Sequence, residues 1–360
     1  MGLGTLLVRA DACPEIGTGH VMRCLALAQA WQDCGGNVVY AMANSTPAIQ
    51  QRLYAENCRI VSVAGCAGTD EDAAFTFDLA QRLGAQCVVL DSYNFGSEYQ
   101  HRLQNNCWTL VCLDDEGRCE YYSADIVLNQ NLTADPAWYR NCRPGVQLLL
   151  GTFFCILRRE FNPWREFRRE VRSNACNILV TLGGNPPEKL ISDIICALSS
   201  IKLEGLSTVV ALGSSSTNDG SNERHAAQFP GKLVIQRNVL DMATLMKDAD
   251  VAISAAGSTC WELCLLGLPT VVFDVASNQT PVALELQKRK CALYAGSGGD
   301  KLNVSGLAKT VEALLYSPEL RRTLSSHSRK LVDGLGVQRV ISAIQGIGCE
   351  AEFAVRAANQ

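Results

Sequence analysis

Residues 5–42 read TLLVRADACPEIGTGHVMRCLALAQAWQDCGGNVVYAM, and their pattern indicates the fold class. Its first apolar run predicts a strand over 5–9, which a glycine-containing loop separates from a helix with one apolar stripe. Gly35-Gly36 ends that helix, and a second strand is predicted over 37–42. The stripe consists of Val21, Cys24, Leu25, Ala28 and Trp31. A strand–helix–strand unit of this kind is typical of a parallel sheet covered by helices.

The same alternation of short apolar runs and helical periodicity continues through most of the chain. It predicts an α/β protein of two Rossmann-like domains of similar size, with helices filling the intervals between strands. Further strands are predicted over 60–63, 87–91, 108–113, 126–129, 146–150, 178–182, 208–212, 233–236, 251–254, 270–275 and 292–294.

The segment 158–172, RREFNPWREFRREVR, interrupts this rhythm with six arginines, three glutamates and a proline. We interpret it as part of a solvated linker over 158–175. The linker would join an N-terminal domain, 1–157, to a C-terminal domain, 176–347. Because ligand-binding loops lie at the carboxyl ends of parallel strands, we expect the site in a cleft between the two domains.

The C-terminal part carries two amphipathic segments, over about 318–332 and 337–347, that are expected to pack back on the body. The tail, 348–360, has no punctuated pattern, and we expect it to be poorly ordered.

Composition excludes several partner classes. The chain has 32 basic and 36 acidic residues, and a net charge of −4 gives no field that would attract nucleic acid. No run of about 18 apolar residues occurs and the start lacks a signal-peptide pattern, so a cytoplasmic protein without a membrane partner is expected. The 17 cysteines are odd in number, form no C-x-x-C and are expected to be buried reduced thiols. Cys260 and Cys264 alone make a weak metal site.

The first candidate for chemistry is the loop Ile16-Gly17-Thr18-Gly19-His20, at the start of the long helix. Gly17 and Gly19 would let a ligand approach the backbone, and the amides at the helix start favour an anion. The dinucleotide fingerprint fails because its sixth position is Met22, so NAD is disfavoured. A sugar nucleotide remains open. His20 could act as a base, and the alternative is that its ring caps the helix.

Two further loops follow predicted strands in the first half. In Asp91-Ser92-Tyr93, we interpret Tyr93 as a ligand contact and Asp91 either as an organiser of the loop or as a strand terminator. The run Asp114-Asp115-Glu116 suggests a metal site, but adjacent acids in a loop more often form turns or accept hydrogen bonds.

The second half offers matching loops. Gly183-Gly184 follows its first strand, and Gly257-Ser258-Thr259 precedes a helix that contains Glu262. Such loops can bind a diphosphate through amides and hydroxyls, and Glu262 could accept both ribose hydroxyls. The alternative is a helix cap with an acidic first turn. Asn278 and Gln279, after the next strand, add further hydrogen-bonding groups.

These motifs resemble those of a known family. The elements that carry the resemblance are RADACPEIGTGHVMRCLALA, LDSY, LDDEG followed by ADIVLNQN, and ISAAGSTCWELCLLGLP followed by SNQT. Over residues 6–295, the chain resembles the nucleotide-sugar hydrolases of pseudaminic acid biosynthesis, which remove UDP from UDP-2,4-diacetamido-2,4,6-trideoxy-β-L-altropyranose. Its second half is also similar to the lipid II-forming N-acetylglucosaminyltransferase, and both families have the two-domain GT-B architecture.

The resemblance implies a hydrolase in which His20 positions or deprotonates the water that attacks the anomeric carbon. Tyr93 and Asn278 would line the sugar site, Glu262 would bind the ribose, and the loops at Gly183-Gly184 and Gly257-Ser258-Thr259 would contact diphosphate and uridine. Asp11, Gly17, Gly19, Asp91 and Gln279 complete the expected substrate-binding set. One departure is Asn185-Pro186-Pro187, where the family often has a small hydroxyl residue and an acid.

The expected reaction needs no metal and no cofactor, a small-molecule UDP-sugar is the expected partner, and we expect a monomer. Two alternatives stay open: a GT-B glycosyltransferase that uses the same nucleotide pocket with a hydroxyl acceptor, and a sugar-nucleotide binding protein without catalysis.

Overall fold

The computed structural model describes residues 2–13, 16–184, 186–213, 220–298 and 302–358. The chain divides into two compact units. The first comprises Met1–Arg159 with Leu335–Gln360, and the second comprises Glu160–Gly334. Each unit is built around one parallel sheet.

The sheet of the first unit has seven parallel strands in the order β3-β2-β1-β4-β5-β6-β7. The elements are β1 (Thr5–Ala10), α1 (Gly19–Asp33), β2 (Asn37–Met42), α2 (Pro47–Ala55), β3 (Arg59–Ser62), α3 (Asp70–Leu83), β4 (Ala85–Asp91), α4 (Ser97–Leu103), β5 (Thr109–Leu113), β6 (Ile126–Asn129) and β7 (Gln147–Leu150).

The sheet of the second unit has six parallel strands in the order β10-β9-β8-β11-β12-β13. Its elements are β8 (Asn177–Thr181), α5 (Glu188–Ser199), β9 (Ser207–Leu212), α6 (Ser221–Ala227), β10 (Lys232–Arg237), α7 (Met242–Asp248), β11 (Val251–Ala255), α8 (Thr259–Leu265), β12 (Thr270–Asp274), α9 (Thr280–Lys288), β13 (Leu293–Ser297), α10 (Val304–Tyr316) and α11 (Pro318–Ser328). A last helix, α12 (Gly336–Ala358), follows.

The strands and the α/β class predicted from sequence are confirmed, since each predicted strand coincides with an observed one apart from small shifts at the ends. Both sheets start with the Rossmann order 3-2-1-4-5-6.

The predicted stripe of α1 is buried, and Gly36 is required where that helix ends. A Cβ there would lie 2.2 Å from the Trp31 ring, whose Nε1 donates to the Gly4 carbonyl at 2.9 Å.

The expectation that helices fill every interval is wrong in the first unit. No helix is assigned between β5 and β6, and a 3-10 turn at Pro136–Tyr139 is the helical element between β6 and β7. The Asp114 carboxylate accepts hydrogen bonds from the amides of Asp115, Glu116 and Gly117 at 2.8–3.3 Å. These bonds satisfy the backbone within a turn and compete with helix formation.

The chain passes from the first unit to the second after Arg159, inside the expected linker 158–175, but the segment from Glu160 belongs to the second unit and does not form a separate linker. Arg169 donates to the carbonyls of Met246, Lys247, Ala249 and Leu266 at 2.7–3.2 Å. These carbonyls lie at the carboxyl ends of α7 and α8, where helices leave backbone acceptors without intrahelical donors. Arg169 thus ties the segment to the second unit, while Glu166 and Arg168 remain exposed.

The C-terminal boundary needs a correction as well. The chain from Leu335 returns to the first unit, although we expected the second domain to extend to residue 347. The physical reason is that the apolar stripe of α12 is buried in the core of the first unit. This stripe comprises Val337, Val340, Ile341 and Ile344. The backbone of α12 continues to Ala358, and residues 359–360 lie outside the described chain. The poor order expected of the tail, 348–360, stays a prediction.

Sixteen of the 17 cysteines have described side chains; all sixteen are free thiols, and eight of them are buried. The expectation of burial is wrong for Cys34, Cys66, Cys107 and Cys196, which are exposed. Among the described residues, no helix is long and apolar enough to cross a membrane.

Candidate functional site

In the first unit, β1 and β4 are adjacent in the sheet although two strands lie between them in sequence. At such a switch point, the loops that leave the two strands turn in opposite directions and open a crevice at the carboxyl edge. The loop after β1 leads into α1, which carries His20 in its first turn, and β4 ends at Asp91. The fold thus brings together two residues that are 71 positions apart.

His20 and Asp91 form the central pair of this crevice. The distance between His20 Nδ1 and Asp91 Oδ1 is 2.6 Å, and the Asp91 side chain is fully buried. An ionised carboxylate only accepts hydrogen bonds, so we assign the imidazole proton to Nδ1 and the lone pair to Nε2. The alternative that the ring caps α1 is not what the structure shows, because the Nδ1 proton is bound by Asp91.

Arg23, which the sequence analysis missed, forms three hydrogen bonds with carboxylates of the crevice. Its Nε and Nη2 donate to the two oxygens of Asp91 at 2.6 Å each, and its Nη1 donates to Asp115 Oδ1 at 2.7 Å. Burial opposes ionisation of Asp91, but the charge and hydrogen bonds of Arg23, together with the hydrogen bond from His20, outweigh it and hold the pKa of Asp91 well below its usual range. The spacing of three residues between His20 and Arg23 at a helix start was the available signal.

Tyr93 lies beside His20, as the sequence analysis expected of a ligand contact. Its ring meets the imidazole edge-on with 5.1 Å between centroids, and its hydroxyl donates to Asp115 Oδ2 at 3.3 Å. Burial and the Asp115 charge raise the pKa of Tyr93, so its hydroxyl stays a donor at neutral pH. About half of the side chain is exposed.

A pocket of about 90 Å³ opens against these side chains. It is lined by polar groups of His20, Arg23, Asp91 and Asp115 and by apolar groups from the loops after β4 and β5, including Phe95 and Leu113. A small polar group of a ligand therefore has both hydrogen-bonding partners and apolar contact here.

The two glycines before His20 differ in what they require. Gly17 has a φ of +74°, which L side chains rarely adopt, so a larger residue would be strained there. Gly19 starts α1 without positive φ, and a Cβ added to it would meet no atom within 4 Å among the described residues. Packing within the described chain does not explain Gly19, whereas close approach of a ligand would.

Asp11 has its carboxylate engaged inside the protein. Oδ1 accepts from the amides of Ala43 and Asn44 at 2.6 and 2.8 Å, and Oδ2 accepts from Arg9 at 2.7 Å. The side chain is 2% exposed. It fixes the loop after β2, so a direct role in binding substrate gains no support from these contacts.

The acidic loop after β5 forms a turn, as the preferred interpretation predicted. Asp114 accepts from three backbone amides and from the Tyr122 hydroxyl at 2.7 Å, while Asp115 pairs with Arg23. Over the described ranges, no group of three or more His, Cys, Asp or Glu side chains is arranged to hold a metal ion.

The second unit has an equivalent switch point between β8 and β11. Gly183 and Gly184 follow β8, and Gly183 has a φ of +87°. Gly184 packs against Gly213 so closely that a Cβ on Gly213 would lie 2.3 Å from the Gly184 carbonyl oxygen. Asn185, where the sequence departs from the family pattern, lies outside the described residues.

The loop after β11 carries Gly257, Ser258 and Thr259. Ser258 precedes α8 without a side-chain hydrogen bond to its amides, so the helix-cap alternative is not observed for this residue. Thr259 is the first residue of α8, and Glu262 lies in its first turn. The sequence-predicted hydroxyls and carboxylate thus follow β11 at the carboxyl edge of the sheet.

The loop after β12 holds Asn278 and Gln279 in a 3-10 turn, Ser277–Gln279. Gln279 Oε1 accepts from the Val275 amide at 3.0 Å, which fixes the turn. Asp274, which the sequence analysis did not single out, anchors the same loop by accepting from the hydroxyls of Tyr294, Thr280 and Ser297. Despite burial, these hydrogen bonds lower the pKa of Asp274.

The solved structures similar to this chain have the same fold. MurG of Acinetobacter baumannii is 18% identical, with a TM-score of 0.65 and coverage of 96% of this chain and 99% of that one. A UDP-GlcNAc 2-epimerase from Neisseria meningitidis, bound to UDP-GlcNAc, is 11% identical with a TM-score of 0.63. The match covers 96% of this chain and 100% of that one. The protein therefore has the GT-B fold of two Rossmann-like units.

Sequence relatives also support the resemblance stated above. Residues 177–334 match the glycosyltransferase family 28 C-terminal domain. The UDP-2,4-diacetamido-2,4,6-trideoxy-β-L-altropyranose hydrolase of Campylobacter jejuni is 21% identical over 287 residues, covering 79% of this chain and 96% of that protein. A Helicobacter pylori protein, whose name combines that hydrolase with pseudaminic acid cytidylyltransferase, is 25% identical over 198 residues, or 54% of this chain and 35% of its own length.

Another relative covers nearly the whole chain. The spore coat polysaccharide biosynthesis protein SpsG of Bacillus subtilis is 31% identical over 342 residues, which are 94% of this chain and 97% of that protein. The protein belongs to the family that includes SpsG.

Proposed function

We propose that the protein is an enzyme that acts on UDP-sugars, and that it hydrolyses UDP-2,4-diacetamido-2,4,6-trideoxy-β-L-altropyranose to UDP and the free sugar. The relatives with that hydrolase name and the UDP-sugar enzymes among the similar structures support the coarser part. The observation that carries the hydrolytic part is the His20–Asp91 pair at the start of α1, with Nε2 left as a proton acceptor.

In the proposed reaction, His20 Nε2 removes a proton from water while the water oxygen attacks the anomeric carbon. The bond between that carbon and the UDP oxygen breaks, and UDP leaves with the electron pair. Asp91 stabilises the imidazolium that forms, as the carboxylate of a catalytic triad does. The proton is then released to solvent, so each turnover converts one UDP-sugar and one water into UDP, the sugar and a proton.

The other residues expected from sequence receive binding roles in this proposal. Tyr93 and Asn278 would contact the sugar, and Glu262 would accept the ribose hydroxyls. The amides beside Gly183, Gly184 and Gly257 would bind the diphosphate with the hydroxyls of Ser258 and Thr259, because helix starts and glycine loops favour anions. Gly17 and Gly19 would admit the sugar near His20, while Asp11 and Gln279 hold loops of the site.

A glycosyltransferase is the second candidate, and one observation favours it: the match of residues 177–334 to the glycosyltransferase family 28 C-terminal domain. The same base could deprotonate an acceptor hydroxyl in place of water. The two reactions differ in whether UDP is released without an acceptor.

The test is to incubate the protein with UDP-2,4-diacetamido-2,4,6-trideoxy-β-L-altropyranose in ¹⁸O-water without an acceptor, and to measure UDP and the position of the label. Hydrolysis at the anomeric carbon places ¹⁸O in the free sugar and none in UDP. Attack from the face opposite UDP would also invert the anomeric centre, which NMR detects before mutarotation. Label in UDP would contradict the proposed step, and turnover that requires a sugar or lipid acceptor would favour the transferase.

A further inference from the structure

Arg23 is almost completely buried, and it lies one turn after His20 on α1. Its guanidinium uses both edges. One edge forms two hydrogen bonds with Asp91 at 2.6 Å each, and the remaining nitrogen binds Asp115 at 2.7 Å. Such a planar fork matches carboxylate geometry, which a lysine ammonium cannot reproduce.

Both carboxylates that Arg23 binds contact a side chain of the proposed reaction. Asp91 Oδ1 lies 2.6 Å from His20 Nδ1, and Asp115 Oδ2 accepts from the Tyr93 hydroxyl at 3.3 Å. Asp115 is also held by the side-chain amide of Asn131 at 2.9 Å. The guanidinium thus binds two carboxylates: Asp91, which ends β4, and Asp115, which lies in the loop after β5.

We propose that Arg23 is the positioning residue of this site: it fixes Asp91 so that His20 keeps its proton on Nδ1, and it fixes Asp115 so that Tyr93 stays beside His20. The kinetic consequence rests on the proposed function, whereas the position of the imidazole proton is a property of the protein without substrate.

Electrostatics gives the reason for this role. Two carboxylates buried in one crevice repel each other, and in such a pair one of the two tends to take up a proton. Burial and the Asp91 charge both oppose ionisation of Asp115, yet Arg23 lowers the pKa of Asp115 as it does that of Asp91. Within the described chain, the other titratable groups that hydrogen-bond Asp91 are His20 and Cys24, both from α1.

The consequence for His20 follows from the state of Asp91. While Asp91 is ionised it can only accept, so the imidazole must donate from Nδ1 and Nε2 remains basic. If Asp91 became protonated, its hydroxyl could donate to Nδ1, and the proton would then reside on Nε2. That tautomer could not take a proton from water at Nε2.

Arg9 provides a matched control in the same unit. Arg9 is also fully buried, binds both oxygens of Asp72 at 2.9 and 3.0 Å and contacts Asp11. Within the described chain, it forms no hydrogen bond or ion pair with His20 or Asp91. Loss of Arg9 should therefore destabilise the fold without changing the imidazole tautomer.

The decisive experiment measures the ¹⁵N chemical shifts of the histidine rings in Arg23→Met and Arg9→Met, with His20→Asn used to assign His20 among the four histidines. We expect Nδ1–H in the wild-type protein and in Arg9→Met, and a shift towards Nε2–H in Arg23→Met. An unchanged tautomer in folded Arg23→Met, or the same change in Arg9→Met, would overturn the proposal. This result holds whether or not a UDP-sugar is turned over, so it separates the proposal from the proposed function.

Kinetics gives a second measurement. Loss of tautomer control in a Ser-His-Asp triad lowers kcat by about 10⁴-fold. Mutation of a residue that hydrogen-bonds a metal ligand lowers metal affinity or activity by about 10- to 100-fold. We expect a kcat loss of about 10²-fold for Arg23→Met, between these cases, with little change in KM. The acid limb of the pH–rate profile should move to higher pH, because Asp91 without Arg23 needs a higher pH to ionise. An unshifted profile with wild-type kcat would contradict the role.

Two further variants protect the test against misfolding. If Arg23→Met does not fold, Arg23→Lys retains the charge but lacks the fork, so it should keep the Nδ1–H tautomer and still lose kcat. In Arg23→Ala, methylguanidinium can enter through the adjoining pocket and should restore part of the lost rate. The same compound should restore nothing in Arg9→Ala. Wild-type kcat in Arg23→Lys, or rescue of both alanine variants, would contradict a positioning role of the fork.

Discussion

The two units share a strand order up to the sixth strand, yet the residues at their switch points are chemically different. At the β1/β4 point the side chains are charged and interlocked, with His20, Arg23 and Asp91 within 2.6–3.4 Å of one another. At the β8/β11 point, glycines dominate the loops. In the proposed function, the first unit would carry out proton transfer and the second would bind the diphosphate through its backbone amides. Substitutions in each unit test this division of roles.

His20→Phe should have the largest effect on turnover. Removal of the base should lower kcat by about 10²- to 10⁴-fold, with UDP affinity nearly unchanged because the expected UDP contacts lie in the second unit. Steady-state kinetics and calorimetry with UDP would measure both. His101→Phe, an exposed histidine of α4, is the control and should behave as wild type. Wild-type turnover by His20→Phe would remove His20 from the base role.

Asp91→Asn should reduce stability, because it breaks a buried ion pair, and such losses cost about 3–5 kcal/mol. The sign with pH follows from the lowered pKa of Asp91. The ionised Asp91 carboxylate adds stability that is fully present above the pKa of an unfolded Asp, about 3.9. This stability is lost as the pH falls towards the pKa of Asp91 in the folded protein.

Chemical denaturation at several pH values would measure this contribution. The wild-type protein should lose more unfolding free energy than Asp91→Asn as the pH falls from neutrality into the range below about 3.9. Parallel losses in the two proteins would show that Asp91 is not held ionised by Arg23 and His20.

Glu262→Ala tests the second unit. A charge-assisted hydrogen bond to ribose predicts a loss of about 1.5–3 kcal/mol in UDP binding. Calorimetry would measure it, with the exposed Glu204→Ala of the same unit as the control. Equal UDP affinity in both variants would remove Glu262 from the ribose role and weaken the division between the units.

Treatment with a chelator followed by dialysis should leave the rate unchanged, which is the smallest expected effect. The Asp114 carboxylate is already engaged by three amides and a tyrosine hydroxyl, and Asp115 is paired with Arg23. A rate that returns only when a divalent ion is added would instead make this loop a metal site.

Local sequence sufficed for the elements and for several site residues. The stripe of α1, the strands and the Gly-Thr-Gly-His loop are patterns within about twenty residues, and hydrophobic periodicity acts over that range. His20, Tyr93 and Asp91 could therefore be named from the ends of predicted strands. Asp91 was expected to organise its own loop, but the side chains that bind its carboxylate in the described chain are His20, Arg23 and Cys24 of α1, which the local sequence did not indicate.

The partners of the buried charges, by contrast, depend on the tertiary structure. Arg23 lies 92 residues from Asp115, and Arg169 lies 77–97 residues from the carbonyls it binds. The same holds for α12, whose stripe shows that it packs somewhere but not on which unit. Periodicity specifies which face of an element is buried, whereas the order of strands in the sheet determines which distant groups meet, and a buried charge is stable only where that order supplies its partner.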